Sequence, residues 1–465
     1  MTTICGIVVT HRLHDTYALA RDLVHRGREV TGLFAMGPES IDMIKWLGTP
    51  SSFSVETLHQ LFPPTKYHTF GMHVRYATRG QSSNLLEDGH PHAVGGRVIH
   101  RGDHLLRYDC DAVIIHNGQV ERDELVKKLD DTTLETLVDS EALLHRYLDI
   151  GVRGLLRKVP GSYVCAIADK RHRDVVVLRD RHGVMPGVLG IKDGKTGVAS
   201  EDIAFRKNGG EIIETLTPGS AYYLHPDGSH SKEVVVEPVP KRCFFQYNYI
   251  AHIDSHLDEL SVRRVRTRYA QLLAKILPQD LDFITYVPSC PYPAAMACAS
   301  LMNVPFIEVF YKKKKERSFQ ESTQKGREQS INGNLHLDPR VLDTIRGKRI
   351  GVIEDSTIRG TVARRVAYLL KEEAKVSQVT LANYTPMIGR IVNGKQAHCR
   401  EGVDIAETDS FLAREGDAKL ISDKLGINVV FPSQEEMFDI LESLGEPRTS
   451  FCTRCLDANP PFTWG

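Results

Sequence analysis

The sequence predicts a two-domain α/β protein, a strand-rich half followed by a half built on a parallel sheet with flanking helices. Three observations lead there. The chain has 465 residues, more than one hydrophobic core ordinarily organises. Its first half consists of short apolar segments cut by Gly, Pro and Asp turns, which is the texture of strands. From Ser261 onward helical patterns alternate with buried apolar runs, and that alternation favours a parallel sheet.

Strands are expected over residues 4–10, 30–36, 97–100, 112–116, 163–169 and 175–178. A helix is expected over 139–149, where Ala142, Leu143, Leu144, Tyr147 and Leu148 fall on one face. Strand texture persists to 222–224. The boundary is placed near 232–242, between Lys232-Glu233-Val234 and Pro238-Val239-Pro240, which divides the chain into domains 5–235 and 236–465. In the second half, strands are expected at 283–287, 349–355 and 378–383. A helix over 361–374 places Val362, Val366, Leu369 and Leu370 at i, i+4, i+7 and i+8. The lysine run at 312–315 reads first as a solvated loop.

Composition excludes several function classes. Hydrophobic residues at 41% and charged residues at 25% are those of a soluble globular protein. Lys plus Arg, 59, equals Asp plus Glu, 59, which removes any general electrostatic case for nucleic acid or an anionic membrane. No apolar run of about 18 residues is present to span a bilayer. Met1-Thr2-Thr3-Ile4-Cys5 lacks the basic-then-apolar pattern of a secretory signal. Nine scattered cysteines suit a reducing compartment, with thiols used for catalysis or metal. The reading is cytoplasmic.

Four segments of the first half carry chemistry. Cys5 heads Cys5-Gly6-Ile7-Val8; as a first residue it would have its own α-amine as base. On its own it is more often a small core residue. His116-Asn117-Gly118 follows a buried strand and offers an amide and a glycine N–H to an oxyanion. Gly71-Met72-His73-Val74-Arg75-Tyr76-Ala77-Thr78 places an arginine just after a strand, available to a carboxylate. Asp139-Ser140-Glu141 opens a helix, where an aspartate would ordinarily be a cap.

In this order the four resemble the class II glutamine amidotransferases, whose glutaminase domain is an N-terminal-nucleophile fold, an αββα sandwich. The resemblance continues through Arg179-Asp180-Arg181-His182-Gly183, Ala199-Ser200-Glu201 and Leu216-Thr217-Pro218-Gly219. It implies that Cys5 attacks the glutamine amide, after removal of residues 1–4. It implies that Arg75 pairs the α-carboxylate, Asp139 the α-ammonium, and Asn117 with the Gly118 N–H the oxyanion. Gln119 and Arg79 depart from the family pattern.

The second half holds Arg349-Ile350-Gly351-Val352-Ile353-Glu354-Asp355-Ser356-Thr357-Ile358-Arg359-Gly360-Thr361. A buried strand ends on two acids, and a Ser/Thr/Gly loop then leads into a helix N-terminus, an anion site suited to phosphate. The pattern is similar to the phosphoribosyl pyrophosphate motif of type I phosphoribosyltransferases. That similarity implies Glu354 and Asp355 on the ribose hydroxyls, with Ser356, Thr357, Arg359, Gly360 and Thr361 around the 5′-phosphate. The two halves together, with Cys243-Phe244-Phe245-Gln246-Tyr247-Asn248-Tyr249, Asp254-Ser255, Arg317-Ser318-Phe319, Gln324 and Arg327, resemble the amidophosphoribosyltransferases of purine synthesis. The implied substrates are glutamine and phosphoribosyl pyrophosphate, with magnesium on the pyrophosphate and a homo-oligomeric assembly.

Two departures cluster in one region. Val287-Pro288-Ser289-Cys290-Pro291-Tyr292-Pro293-Ala294-Ala295 stands where the family usually has Val-Pro-Asp-Ser-Gly-Arg-Pro-Ala-Ala, and Pro291 removes one N–H. Tyr311-Lys312-Lys313-Lys314 stands where the family carries Lys-Asn-Arg-Tyr. They support a second reading, a divergent paralogue that binds phosphoribosyl groups for regulation or uses a changed acceptor. Cys452-Thr453-Arg454-Cys455, with Cys243 and Cys399, occupies the places of the iron–sulfur ligands in one branch of the family, which implies a [4Fe–4S] cluster. Four thiolates suit zinc equally. Cys110, Cys165, Cys290 and Cys298 are left as packing residues.

Overall fold

The computed structural model describes residues 4–75, 84–129, 134–313, 333–403, 405–407 and 410–463. Arg79, Arg317, Ser318, Phe319, Gln324 and Arg327 lie outside the described residues. Among those described, the first half forms a nine-stranded and a six-stranded antiparallel sheet packed face to face. Gly6–Thr10 lies between Lys195–Ala199 and Thr69–Arg75 in the larger sheet. Its side chains alternate as a pleat requires. Ile7 and Val9 meet Val113, Ile115 and Val164 of the second sheet. Val8 faces the other way, onto Leu13 and Leu19 of the helix Leu13–Arg21. The helix Asp139–Lys158 covers the outer face of the smaller sheet through Leu143, Leu144 and Tyr147. The layers are therefore helix, sheet, sheet, helix.

Both faces of the inner strands are covered, so they read as continuous apolar runs. The expected strand at 112–116 extends to Val120, because Ala112–Val120 pairs with Gly161–Asp169 along its whole length. His116, Asn117 and Gly118 thus sit inside a ladder and do not follow it. Strands also continue past 224, since His230–Val234 completes the smaller sheet against Ser220–Leu224. The helix beginning at Asp139 runs on to Lys158, interrupted at Gly151, whose φ of 66° is left-handed.

The second half carries a four-stranded parallel sheet, in the order Phe283–Tyr286, Arg349–Glu354, Gln378–Asn383, Asn428–Val430. The helix Thr361–Tyr368 buries Ala363 and Val366 against Val352 and Leu381 and then continues as a π-turn over Leu369–Glu373. Arg242–Cys243 pairs in parallel with Phe451–Cys452, which returns the tail of the described chain to the start of this half. No helix among the described residues is long and apolar enough to cross a membrane.

Candidate active site

The first strand is anchored so that Cys5 is fully buried. Its N–H donates to Asn117 Oδ1 at 3.0 Å. An amide that spends its oxygen in this way presents its NH2 elsewhere, and Asn117 Nδ2 has no partner among the described residues. Gly118, the next residue, has φ 143°, and a Cβ there would lie 1.8 Å from the Ser162 carbonyl oxygen, so only glycine fits. Arg75 ends its strand buried, with Nη1 donating to the Leu85 carbonyl at 3.2 Å. Asp139 accepts the Val120 N–H at 3.0 Å through Oδ2, while Oδ1 is buried without a partner among the described residues. It is the first residue of its helix, following the extended Val138, and its carboxylate is committed to the neighbouring strand.

Buried polar atoms without partners are costly in a finished interior. Asn117 Nδ2, Asp139 Oδ1 and Arg75 Nε are one donor, one acceptor and one donor in the half that also holds Cys5. A buried donor suits an oxyanion or a carboxylate, and a buried acceptor suits an ammonium.

Around them stand four buried imidazoles. His73 donates through Nε2 to the His116 carbonyl at 3.0 Å and stacks on His90 with centroids 4.1 Å apart. His92 lies edge-on to His90 at 4.7 Å, and His116 hydrogen-bonds Ser140 Oγ at 2.8 Å. Burial pushes all four below the usual histidine range, His73 to about 3. Lys45, also buried, is pushed down to about 7 by burial and then by the charges of Arg107 and Arg75.

The second site is a cavity of about 730 Å³ lined by both halves: His25 and Arg28 from the first, and Tyr249, His252, Arg263, Arg266 and the 354–363 loop from the second. Glu354 ends its strand at the cavity wall and Asp355 follows it, both buried. Burial raises both carboxyls; the charge of Asp355 raises Glu354 further, while the Ser356 hydroxyl opposes the rise at Asp355. Ser356 Oγ donates to Asp355 at 2.8 Å, and Thr357 Oγ1 donates to Asn383 Oδ1 at 2.8 Å. Gly360 takes φ 75° and leads into the helix at Thr361, leaving the helix N-terminus open to the cavity.

Two sequence readings change here. Lys312 ends the strand Phe310–Lys312 and lines the cavity; it is not part of a purely solvated loop, and residues 314 and 315 lie outside the described residues. Cys290 is half-buried at the cavity wall, donating to the Tyr249 carbonyl at 3.5 Å, and is not a core packing residue. Pro291 stands directly before the helix Tyr292–Met302, where a missing N–H costs the helix nothing.

The four cysteines far apart in sequence come together. Cys243 and Cys452 are ladder partners, and Cys399 and Cys455 pack with Cys243 in one cluster. Burial pushes Cys243, Cys452 and Cys455 up, and neighbouring thiols of the set push them further. A Cβ on Gly402 would lie 2.5 Å from Cys243 Sγ, so the glycine leaves room beside the sulfur. No three His, Cys, Asp or Glu among the described residues are disposed to hold a single metal ion.

Sequence reading missed Arg26 and gave Glu201 no role. Arg26 is fully buried and donates through Nε to the Cys5 carbonyl at 2.8 Å and through Nη1 to Glu201 at 2.6 Å. His25-Arg26-Gly27 carries no periodic or motif signal by itself, and only the folded proximity reveals it.

Comparison with known proteins agrees with this geometry. A family model described as a glutamine amidotransferase domain matches residues 100–239. Amidophosphoribosyltransferase of Synechococcus elongatus is 27% identical, covering 95% of this chain and 86% of its own length. The enzyme of that name from Methanothermobacter thermautotrophicus is 27% identical, covering 98% and 94%. Among solved structures, the glutamine phosphoribosylpyrophosphate amidotransferase of B. subtilis superposes with a TM-score of 0.78 at 23% identity, covering 98% of this chain and 97% of that one. A structure described as the allosteric regulatory enzyme of purine biosynthesis gives 0.79 at 23% identity, over 98% and 96%. The chain is accordingly similar over nearly its whole length to the amidophosphoribosyltransferases and has their fold, a class II glutamine amidotransferase domain joined to a phosphoribosyltransferase domain.

Proposed function

We propose that the chain hydrolyses glutamine, water releasing glutamate from the thioester on Cys5, and transfers the freed ammonia to C1 of phosphoribosyl pyrophosphate, giving 5-phosphoribosylamine and pyrophosphate. The observation that carries this is a cavity walled by both halves, with the Glu354–Asp355 pair at its side and, on its first-half wall, His25, the chain neighbour of the Arg26 that holds the Cys5 carbonyl. Cys5 Sγ attacks the amide carbon of glutamine, whose carboxylate and ammonium rest on Arg75 and Asp139. The oxyanion takes hydrogen bonds from Asn117 Nδ2 and the Gly118 N–H. While residue 4 is attached, the Cys5 nitrogen is an amide with no basic lone pair, so cleavage before Cys5 supplies the base that takes the thiol proton and returns it to the leaving ammonia. In the second site Glu354 and Asp355 accept the ribose hydroxyls. Ser356, Thr357, Arg359, Gly360 and Thr361 surround the 5′-phosphate, and Lys312 and Arg266 add positive charge at the cavity. Magnesium on the pyrophosphate would neutralise the leaving group.

Calorimetry tests the reading. Phosphoribosyl pyrophosphate with magnesium should bind more tightly than ribose 5-phosphate. Equal affinities would remove the pyrophosphate subsite and favour the regulatory or changed-acceptor paralogue, which the Ser289-Cys290-Pro291 loop supports.

Asp139→Asn keeps an acceptor for the Val120 N–H but removes the charge. Loss of a charge-assisted hydrogen bond costs about 1.5–3 kcal/mol, so KM for glutamine should rise about 10- to 100-fold. Steady-state kinetics should find the ammonia-dependent rate unaltered; an unchanged KM would remove Asp139 from the glutamine site.

Cys243, Cys399, Cys452 and Cys455 fit an iron–sulfur cluster by donor chemistry, since buried thiols crowded together are poor anions until a cationic centre offsets burial. The cluster would cross-link the tail to the domain junction. Protein prepared without oxygen should contain iron and sulfide at about four each per chain. Zinc without sulfide would assign the site to zinc, and Cys455→Ser should lower Tm in either case.

A further inference from the structure

Lys45, a buried charge of the first half, takes no part in the proposed chemistry. It lies on the strand Ile41–Leu47 and is 5% exposed. The strand Val30–Met36 runs between the strand of Lys45 and the strand of Arg75. Lys45 and His73 flank Gly32 from its two sides, and Arg75 is paired with Val30. Side chains alternate along a strand, so Lys45, His73 and Arg75 rise from one face of the sheet. It is the face that carries Phe34 and Met43 into the core between the two sheets.

The turn 84–89 lies on this face. It closes on itself through the Asp88 N–H, which donates to the Asn84 carbonyl at 3.1 Å, and the Gly89 N–H, which donates to the Leu86 carbonyl at 3.2 Å. Leu86 packs onto the core, and the carbonyls on either side of it meet cations. Arg75 Nη1 donates to the Leu85 carbonyl at 3.2 Å, and Lys45 Nζ donates to the Glu87 carbonyl at 2.8 Å. A Cβ on Gly32 would lie 1.9 Å from the His90 carbonyl oxygen, and one on Gly89 would lie 2.5 Å from Val30 Cγ1. Two glycines thus let the chain leaving the turn lie flat on the strand that separates Lys45 from Arg75.

Packing does not explain a lysine at this place. Its ammonium has one carbonyl partner among the described residues, and the Glu135 carboxylate is held by Arg107 through two hydrogen bonds of 2.8 and 2.9 Å. Burial, then the charges of Arg107 and Arg75, push Lys45 down to about 7, with Glu87 and Glu135 opposing. His92 is pushed down as well, first by burial and then by the charge of Lys45. An apolar side chain of the same length would avoid that cost.

What the ammonium supplies is a fixed place for the turn. Arg75 commits Nη1 to the turn, while its buried Nε has no partner among the described residues. The turn therefore sets how the guanidinium is rotated, and Lys45 sets where the turn sits. We propose that Lys45 is a positioning residue of the glutamine site: it pins the turn 84–89 to the sheet, and the pinned turn holds Arg75 in the orientation that receives the α-carboxylate. This rests on the glutamine-binding role proposed for Arg75. A guanidinium binds a carboxylate best through two parallel N–H groups, so its rotation matters as much as its charge.

Lys45→Met in the full-length protein tests the assignment. Methionine nearly matches the length and removes both donor and charge. KM for glutamine should rise about 10-fold, with kcat for glutamine hydrolysis within about 2-fold of wild type, the pattern of a lost binding contribution. KM for phosphoribosyl pyrophosphate in ammonia-dependent synthesis should stay within about 2-fold, whereas general damage to the fold would move both constants. Lys45→Arg keeps a cationic donor and should recover most of the affinity for glutamine. Should Lys45→Met fail to fold, Lys45→Gln takes its place with the same expected rise, since its shorter, neutral head stops short of the Glu87 carbonyl. A KM for glutamine within about 2-fold of wild type, a comparable rise in KM for phosphoribosyl pyrophosphate, or no recovery in Lys45→Arg overturns the inference. Wild type that hydrolyses no glutamine overturns the proposed function itself, and the inference with it.

Discussion

Cys5→Ala should abolish glutamine-dependent synthesis while leaving ammonia-dependent synthesis within about 2-fold of wild type. Removing a nucleophile that forms the covalent intermediate costs about four orders of magnitude or more in kcat, because the remaining oxyanion and binding groups have nothing to stabilise. The substitution itself is mild. Cys5 is a small, fully buried residue whose backbone N–H and carbonyl make the contacts to Asn117 and Arg26, and alanine keeps both. The cavity holding Glu354 and Asp355 does not include the thiol, so exogenous ammonia still has a route to C1. Paired assays with glutamine and with ammonium salts would settle this. Residual glutamine use above about 1% of wild type would show that another group attacks the amide, and loss of both activities would show that the thiol holds the fold together.

The second large effect is on stability against pH. Burial lowers His73 to about 3 and His11 to about 4, and lowers His90 and His92 well below their ordinary 6.5. A histidine depressed in the folded state favours folding fully above its unfolded pKa. Below 6.5 the unfolded chain takes up protons that the folded chain refuses, so stability falls with pH until the folded pKa is reached. Counting only His73, His90 and His92, each loses about 1.4 kcal/mol between pH 7.5 and 5.5, roughly 4 kcal/mol together. Asp180, raised by burial to about 6, and Glu354 and Asp355, also raised by burial, recover part of this in the opposite direction, because their penalty shrinks as they protonate. The net loss is a large share of an ordinary domain stability. Urea unfolding at the two pH values should find it, and the pair His90→Gln, His92→Phe should flatten the dependence by about two thirds. An unaltered slope in that variant would place the acid lability elsewhere.

How much of this was legible depends on where each signal lives. The Glu354–Thr361 motif is continuous, since one strand end, one loop and one helix start build that half of the site, and the sequence shows it whole. Cys5, Arg75, Asn117 and Asp139 stand out in the sequence as a set and not singly, because each is ordinary at its own position. The extension of the strand through Gly118 was not visible, as it is imposed by pairing with Gly161–Asp169 forty-odd residues away. Arg26 carries no local pattern at all, and the segments around Glu201 and Gln246, though they resemble the family, do not show that both side chains meet Arg26. Their burial is affordable only because three elements close over one another, and no window of sequence contains that information. Lys45 and the His73–His90–His92 group are similar: a lysine and three histidines drawn from three segments, indistinguishable from surface residues until the fold buries them.

The ladder between Arg242–Cys243 and Phe451–Cys452 has a consequence for synthesis on the ribosome. Its two strands emerge roughly two hundred residues apart, so closing that loop waits for nearly the whole second half to be made. Glu201 meanwhile needs Ser255 and His252, which lie just past the junction that the ladder locks. A nascent chain can therefore assemble its sandwich early yet lack a settled floor beneath the nucleophile until the tail arrives. Chains stopped short of Phe451–Cys452 would consume little glutamine, so a strand translated late would act as the release for one translated early.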